Sequence, residues 1–215
     1  MNLKNRTLQT NSEKEKEVEE YELKEYEQKK IEQFKKSGVP ERFWNESFST
    51  FYPRNNDEEK KLEAAKKYSQ VKTDIVLLFT GNAGTGKTHL GSAIIREKGG
   101  SYYYSQDLVI KFMATFDFHS KVSTNDFLNE ICNIETLVID EIGRTTNTKK
   151  EQELLRLVLC RRYDRKKGSL LISNMPKRDL LIYLGAAVAD RLNETCLSFE
   201  FNGESYRAEK RSINL

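Results

Sequence analysis

Gly81-Asn82-Ala83-Gly84-Thr85-Gly86-Lys87-Thr88 matches G-x-x-x-x-G-K-[ST] without a deviation. Gly81, Gly84 and Gly86 let the backbone turn tightly, so that successive N–H groups along Asn82, Ala83 and Thr85 point inward at phosphate oxygens. Lys87 reaches the β- and γ-phosphates as a point charge. The Thr88 hydroxyl is a ligand for Mg²⁺. A helix opening at Thr88-His89-Leu90 aims its positive end at the same anion. His89 lies beside that anion and reads as a helix-start residue, not as a catalyst. Chance would produce the four fixed positions in roughly one chain in a hundred of this length. A hydrophobic strand before the loop and a helix after it lower that further.

Outward from the loop, Ile75-Val76-Leu77-Leu78-Phe79 is a continuous apolar run, as expected of a strand buried on both faces of a parallel sheet. Similar runs recur at 101–104, 136–139, 169–172 and 196–201. Amphipathic helical stretches separate them at 89–97, 107–116, 126–131, 148–165 and 178–184. The alternation predicts an α/β fold with a five-stranded parallel sheet and right-handed crossovers. The run Thr136–Ile139 ends in Asp140-Glu141, two carboxylates at the carboxyl end of a buried strand, where open α/β sheets place their chemistry. Asp140 reads as a magnesium-holding acid. Glu141 reads as the general base that polarises an attacking water, which favours hydrolysis over transfer to a small acceptor. The run Ser169–Ile172 ends in Ser173-Asn174, and the Asn174 amide is positioned to orient that water or to touch the γ-phosphate.

Charged residues make up 32% of the 215 and hydrophobic ones 37%, which implies a segment that does not pack into the core. That segment is residues 13–36, a Glu/Lys run without Gly or Pro. Pairs such as Glu20–Lys24 and Glu25–Lys29 support a helix there. Leu23, Tyr26, Ile31 and Phe34 fall near one face. Ser37-Gly38-Val39-Pro40 breaks the run and marks a boundary between an arm, 1–36, and a nucleotide-binding domain, 37–215. An aromatic cluster (Phe43, Trp44, Phe48, Phe51, Tyr52) follows, then a helix over 57–70. Three cysteines at wide spacings and two histidines argue against a zinc site and for a reducing compartment. The polar start and the lack of any long apolar stretch predict a soluble, cytoplasmic protein with no membrane partner.

The order of these pieces resembles the AAA+ ATPases, and more narrowly the DnaC/IstB branch, most of all its DnaC-type helicase loaders. Five stretches within about 37–208 carry the resemblance: Ser37–Arg42 with Phe48, Gly81–Leu90, Leu137–Gly143, Ala189-Asp190-Arg191-Leu192, and Phe201-Asn202-Gly203-Glu204-Ser205-Tyr206-Arg207. The resemblance implies a P-loop three-layer sandwich without a helical lid after it. It implies ATP and Mg²⁺ as cofactors, and a homo-oligomer with ATP between neighbours. It makes Arg191 an arginine finger reaching the next subunit's γ-phosphate. Arg207 is implied either at the nucleotide, as a second sensor, or at the subunit contact.

As partners the resemblance implies a hexameric replicative DNA helicase, engaged by the arm, and single-stranded DNA. The basic run Lys149–Lys167 is open to three readings: a phosphate-binding face, a solvated helix and a subunit interface. Tyr102-Tyr103-Tyr104 offers stacking surfaces, although alternation along a strand sends at least one ring into the core. The helicase-loader reading competes with three others: an ATPase regulating a DNA transposase, as the IstB side implies, a nucleotide-gated switch with little hydrolysis, and a nucleotide kinase, for which the sequence offers no acceptor-pocket signature.

Overall fold

The computed structural model describes residues 21–145 and 148–206. Five strands form one parallel sheet in the order β2-β3-β4-β1-β5. They are β1 Val76–Gly81, β2 Ser101–Tyr104, β3 Leu137–Ile142, β4 Ser169–Ser173 and β5 Cys196–Phe201. The described helices are α1 (21–36), α2 Asn56–Gln70, α3 Lys87–Lys98, α4 Ser105–Ala114, α5 Thr124–Asn133, α6 Thr148–Asp164, α7 Lys177–Leu184 and α8 Ala186–Thr195. This is the expected α/β fold.

The uninterrupted apolar runs have a direct cause. Alternate side chains of β1 enter two different cores. Leu77 and Phe79 pack with Leu62, Ala65 and Tyr68 of α2 and Leu90, Ile94 and Ile95 of α3. Val76 and Leu78 pack on the other face with residues of α4, α5, α6 and α8. Both faces are therefore dry, and a polar residue at any of these positions would be stranded. Each fully buried Leu or Phe contributes about 1.5–3 kcal/mol. The chain leaves β1 toward β2 on one side and leaves β4 toward β5 on the other. The carboxyl ends of β1 and β4 therefore flank a topological switch point, where open α/β sheets bind ligands.

The leading segment covers the β2 edge. The Tyr102 N–H donates to Ser37 O at 2.7 Å, and two single turns of 3-10 helix, Glu41–Phe43 and Phe48–Thr50, carry the chain across α3. Ser92 Oγ donates to Phe43 O at 3.1 Å and Arg96 Nε to Glu46 O at 3.1 Å. Within the arm, residues 21–36 are helical and Glu25 pairs with Lys29. Of the four apolar residues expected on one face, only Phe34 is buried, under the Arg96 guanidinium. Leu23, Tyr26 and Ile31 face solvent.

Two elements depart from the sequence reading. The segment holding Arg191 is a full helix, α8, which was expected only as a motif. The helix expected to reach Phe116 ends at Ala114, where the Thr115 hydroxyl donates to Phe112 O and meets Thr124.

The basic run behaves chiefly as a staple between α5 and α6. Arg162 is 1% exposed. Its guanidinium donates to Ser169 Oγ at 2.8 Å, to Ile134 O at 2.6 Å and to the carbonyls of Ile131, Cys132 and Gly168. It thereby satisfies carbonyls at the C-terminal end of α5 and ties them to the start of β4. Burial pulls its pKa down to about 10, so it stays charged at neutral pH. Arg161 and Arg165 reach Asn125, Asn129 and Asn133, and Lys167 pairs with Glu135. Lys149, Arg156 and Lys166 remain exposed. Replacing Arg162 with Leu leaves several buried carbonyls unpaired and should cost about 3 kcal/mol in urea unfolding. Arg161→Ala, at an exposed contact, should stay within about 0.5 kcal/mol of wild type.

Candidate nucleotide-binding site

The loop leaves the carboxyl end of β1 and enters α3 at Gly86, whose φ of 92° precedes the first helical residue, Lys87. All three of its glycines are required by neighbours as well as by turning: a Cβ on Gly81 would lie 2.6 Å from Phe201 O. A Cβ on Gly84 would lie 2.0 Å from Ser205 Oγ, and one on Gly86 would lie 2.5 Å from the Phe51 ring. Phosphate approach was the reason read from the sequence, and close packing of distant segments is a second. Asn82 and Ala83 form the exposed rim, while Thr85 is buried and donates to Asn82 O at 2.8 Å. Lys87 is 5% exposed and its Nζ donates to Gly81 O at 2.8 Å and to Asn82 O. The ammonium thus lies folded along the inside of the loop.

Opposite the loop sits Asp140, 2% exposed in the carboxyl-terminal half of β3. Its Oδ2 accepts from the Thr88 hydroxyl at 2.7 Å and from the Tyr102 hydroxyl at 2.5 Å, and its Oδ1 accepts the Glu141 N–H at 2.6 Å. Burial pushes the carboxyl above its ordinary range, and these three donors pull part of the way back. The Thr88 and Asp140 oxygens are hard donors of the kind that suit a magnesium ion. Tyr102 is the residue that the sequence reading missed. The triple tyrosine marked it as aromatic, but only the register of β2 beside β3, which sets Tyr102 against Val138 and Tyr104 against Asp140, brings its hydroxyl to the acid.

Glu141 has a φ of 58°, and the β3–β4 register shifts between Ile139 and Ile142. This bulge turns Glu141 out of the ladder into a left-handed conformation that side chains rarely adopt. Its carboxylate pairs with Arg144 at 2.6 Å. Asn174 follows β4 at the same end of the sheet, exposed, one residue beyond the Ile142–Ser173 pair. His89 braces the leading segment: Nδ1 lies 3.0 Å from Glu46 Oε2, Nε2 lies 2.8 Å from Ser47 O, and the ring meets Phe51 edge-on.

Arg191 is not brought to this chain's own loop. It lines a small cavity with Asp74, Val76, Arg162, Tyr163 and Ser169, at the amino ends of β1 and β4. That is roughly 17 Å down the strand from Gly81. One of its terminal nitrogens donates to Ala187 O at 2.9 Å, the guanidinium stands over the Tyr163 ring, and Nε is buried without a hydrogen-bond partner among the described residues. Arg207 lies outside the described residues. No helix among the described residues is long and apolar enough to cross a membrane.

A buried carboxyl whose pKa is raised on folding favours the folded state while protonated. Asp140 therefore costs stability as pH rises through and above its raised range. An Asn at 140 can donate its amide to the Thr88 and Tyr102 oxygens and still accept the Glu141 N–H. Asp140→Asn should raise the melting midpoint of the nucleotide-free chain at pH 7 by roughly 2–4 °C. Below the ordinary carboxylate range the gain should disappear, which a melting series from pH 3 to 8 checks.

Residues 7–214 match the family model described as IstB-like ATP binding protein. The replicative helicase loader DnaC of Buchnera aphidicola subsp. Baizongia pistaciae is 32% identical over 180 residues, covering 80% of this chain and 73% of that protein. The replicative helicase loader DnaC of Escherichia coli strain K12 is 30% identical over 183 residues, covering 81% and 74%. Among solved structures, that of the DnaC helicase loader superposes with a TM-score of 0.66 at 23% identity, covering 76% of this chain and all of that one. AMPPCP-bound DnaA from Aquifex aeolicus superposes at 0.62 with 16% identity, covering 82% and 57%, a likeness of fold. By its matched length, its nucleotide loop and its sheet, the chain belongs to the IstB-like ATP-binding protein family.

Proposed function

We propose that the chain is an ATPase that loads a replicative DNA helicase onto single-stranded DNA. The observation that carries this reading is the meeting of Thr88 and Asp140 across a glycine-built loop, with Glu141 at the next position. Curated relatives at about 30% identity that are DnaC helicase loaders support the biological role. In this reading residues 37–215 are the ATPase domain. The arm, 1–36, meets the helicase, and the exposed Leu23, Tyr26 and Ile31 support such a contact.

The backbone amides from Gly81 to Thr88, with His89 behind them, receive the triphosphate. Lys87 exchanges its two carbonyl acceptors for the β- and γ-phosphates. Thr88 and Asp140 would hold Mg²⁺, which when bound neutralises charge building on the phosphates. Glu141 takes a proton from the attacking water once its carboxylate leaves Arg144, and Asn174 orients that water. Arg191, remote from its own loop, serves the γ-phosphate of the next copy in an oligomer. Arg207 serves the nucleotide or the subunit contact. The protein works in the cytoplasm.

A second reading, regulation of a DNA transposase, is what the resemblance to the IstB side of the family implies, and the match to an IstB-like ATP binding protein model keeps it open. Co-elution of the full chain with a hexameric helicase, and loss of co-elution when residues 1–36 are removed, supports the loader. Co-elution with a transposase alone supports the other. The Arg144–Glu141 pair favours slow turnover by the free chain, as a nucleotide-gated switch would show.

Lys87→Ala should abolish ATP binding in an equilibrium titration. Glu141→Gln should bind ATP as wild type does while turnover falls by about a hundredfold or more. Arg191→Ala should bind ATP normally and lose turnover, and mixing it with Lys87→Ala should restore part of the rate. In the mixture one variant keeps the site and the other supplies the arginine. If mixing restores nothing, Arg191 does not act between subunits.

A further inference from the structure

Three stretches far apart in sequence meet around the nucleotide loop: 51–58, 81–86 and 201–206. The loop is gripped from outside at two points. The Asn82 N–H donates to Phe201 O at 2.8 Å, and Gly84 O accepts the Tyr206 N–H at 3.0 Å. The Asn82 side-chain amide adds a bond to Asn202 O at 3.3 Å. The last segment, 201–206, is therefore the clamp that shapes the bend.

That clamp is itself fastened to α2. Arg54 donates to Glu204 O at 2.9 Å, and its guanidinium carbon stands over the Tyr206 ring, 3.8 Å from the centroid. The Tyr206 hydroxyl donates to Glu58 Oε2 at 2.7 Å. Glu58 is 5% exposed in the first turn of α2, and it also accepts the Arg54 backbone N–H and guanidinium, both at 2.7 Å. Burial alone would raise its carboxyl. The bonds from Arg54 and Tyr206 outweigh burial and bring it down to about 2, so it is an anion at every physiological pH. Further along, α2 is rooted in the core by Leu62, Ala65 and Tyr68. A continuous path thus runs from the core through Glu58 and Tyr206 to Gly84.

We infer that Arg54, Glu58 and Tyr206 form a latch that holds the nucleotide loop in its phosphate-binding shape, acting as positioning residues for ATP. This rests on the reading of 81–88 as the ATP loop. The physical reason is entropy. A glycine-rich bend samples many conformations, and ordering it on binding costs affinity unless something orders it beforehand. A latch of this kind changes how tightly ATP binds and leaves the chemical step at saturation alone.

The test uses the full chain and MgATP, reading the dissociation constant, kcat at saturation and the melting midpoint. Tyr206→Phe removes one hydroxyl, and Glu58→Gln keeps the shape while removing the charge. Each should weaken ATP binding about tenfold, leave kcat within about twofold and keep the melting midpoint within about 5 °C. The double variant should bind about as tightly as the weaker single one, because both changes break the same contact. Unchanged affinity in both single variants overturns the latch. So does a loss of affinity that appears only with a larger fall in the melting midpoint or with an equal fall in kcat. A wild-type chain that binds no MgATP overturns the reading of the loop and the latch with it, whereas binding by wild type and variants alike overturns the latch only.

Discussion

The arrangement of the site turns on one buried carboxyl group. Asp140 sits in the carboxyl-terminal half of the strand flanked by β2 and β4, 2% exposed, where an unpaired carboxylate would be costly. Three elements supply its donors: Thr88 from the start of α3, Tyr102 from β2, and the Glu141 N–H from the bulge in β3 itself. Each donor is fixed by a different part of the fold. The parallel register of β2 and β3 aims the tyrosine, and the tight loop delivers the threonine. A cation arriving between Thr88 and Asp140 would relieve the cost of that charge.

The loop opposite is shaped as much by its neighbours as by its own turns. Phe51 occupies the space where Gly86 would carry a side chain, and Ser205 occupies the same space at Gly84. These residues come from segments about thirty residues before the loop and more than a hundred after it. A stretch that looks self-contained in sequence is in the fold the middle layer of a three-part contact. This explains why the resemblance rests on the leading and closing motifs as well as on the loop.

The sheet was legible because both of its faces are dry. A strand that can hold no polar residue on either side writes itself as an apolar run, and Leu77–Phe79, Leu137–Ile139 and Leu170–Ile172 do so. The loop and the acid pair were legible because their chemistry fixes residue types at fixed spacings. Tyr102, Arg162 and Tyr206 were not. Each acts through a partner 28 or more residues away, and a single polar atom on a buried residue leaves no period in the sequence. Arg162 was hidden further by its neighbours, since a basic run looks like solvated charge whichever member of it turns inward. α8 escaped notice because its buried side, Val188 and Leu192, is narrow and its other residues are small or polar.

On the proposed reading, the two groups assigned to hydrolysis, Glu141 and Arg191, are at rest in the single chain, for related reasons. Glu141 stands out of the ladder on a strained backbone, and its carboxylate is held by an exposed arginine three residues on. Such an exposed pair is worth at most about 1 kcal/mol, weak enough for a polyphosphate or a neighbouring anion to compete for Arg144. Arg191 lies at the other end of the sheet, folded back on its own helix with one buried nitrogen unpaired among the described residues. On the proposed reading, a guanidinium left one bond short would gain by turning outward to a phosphate of another copy. On the proposed reading, the free chain binds ATP with a parked base and a parked arginine. Assembly supplies what each lacks, so hydrolysis becomes a signal that the neighbours have arrived.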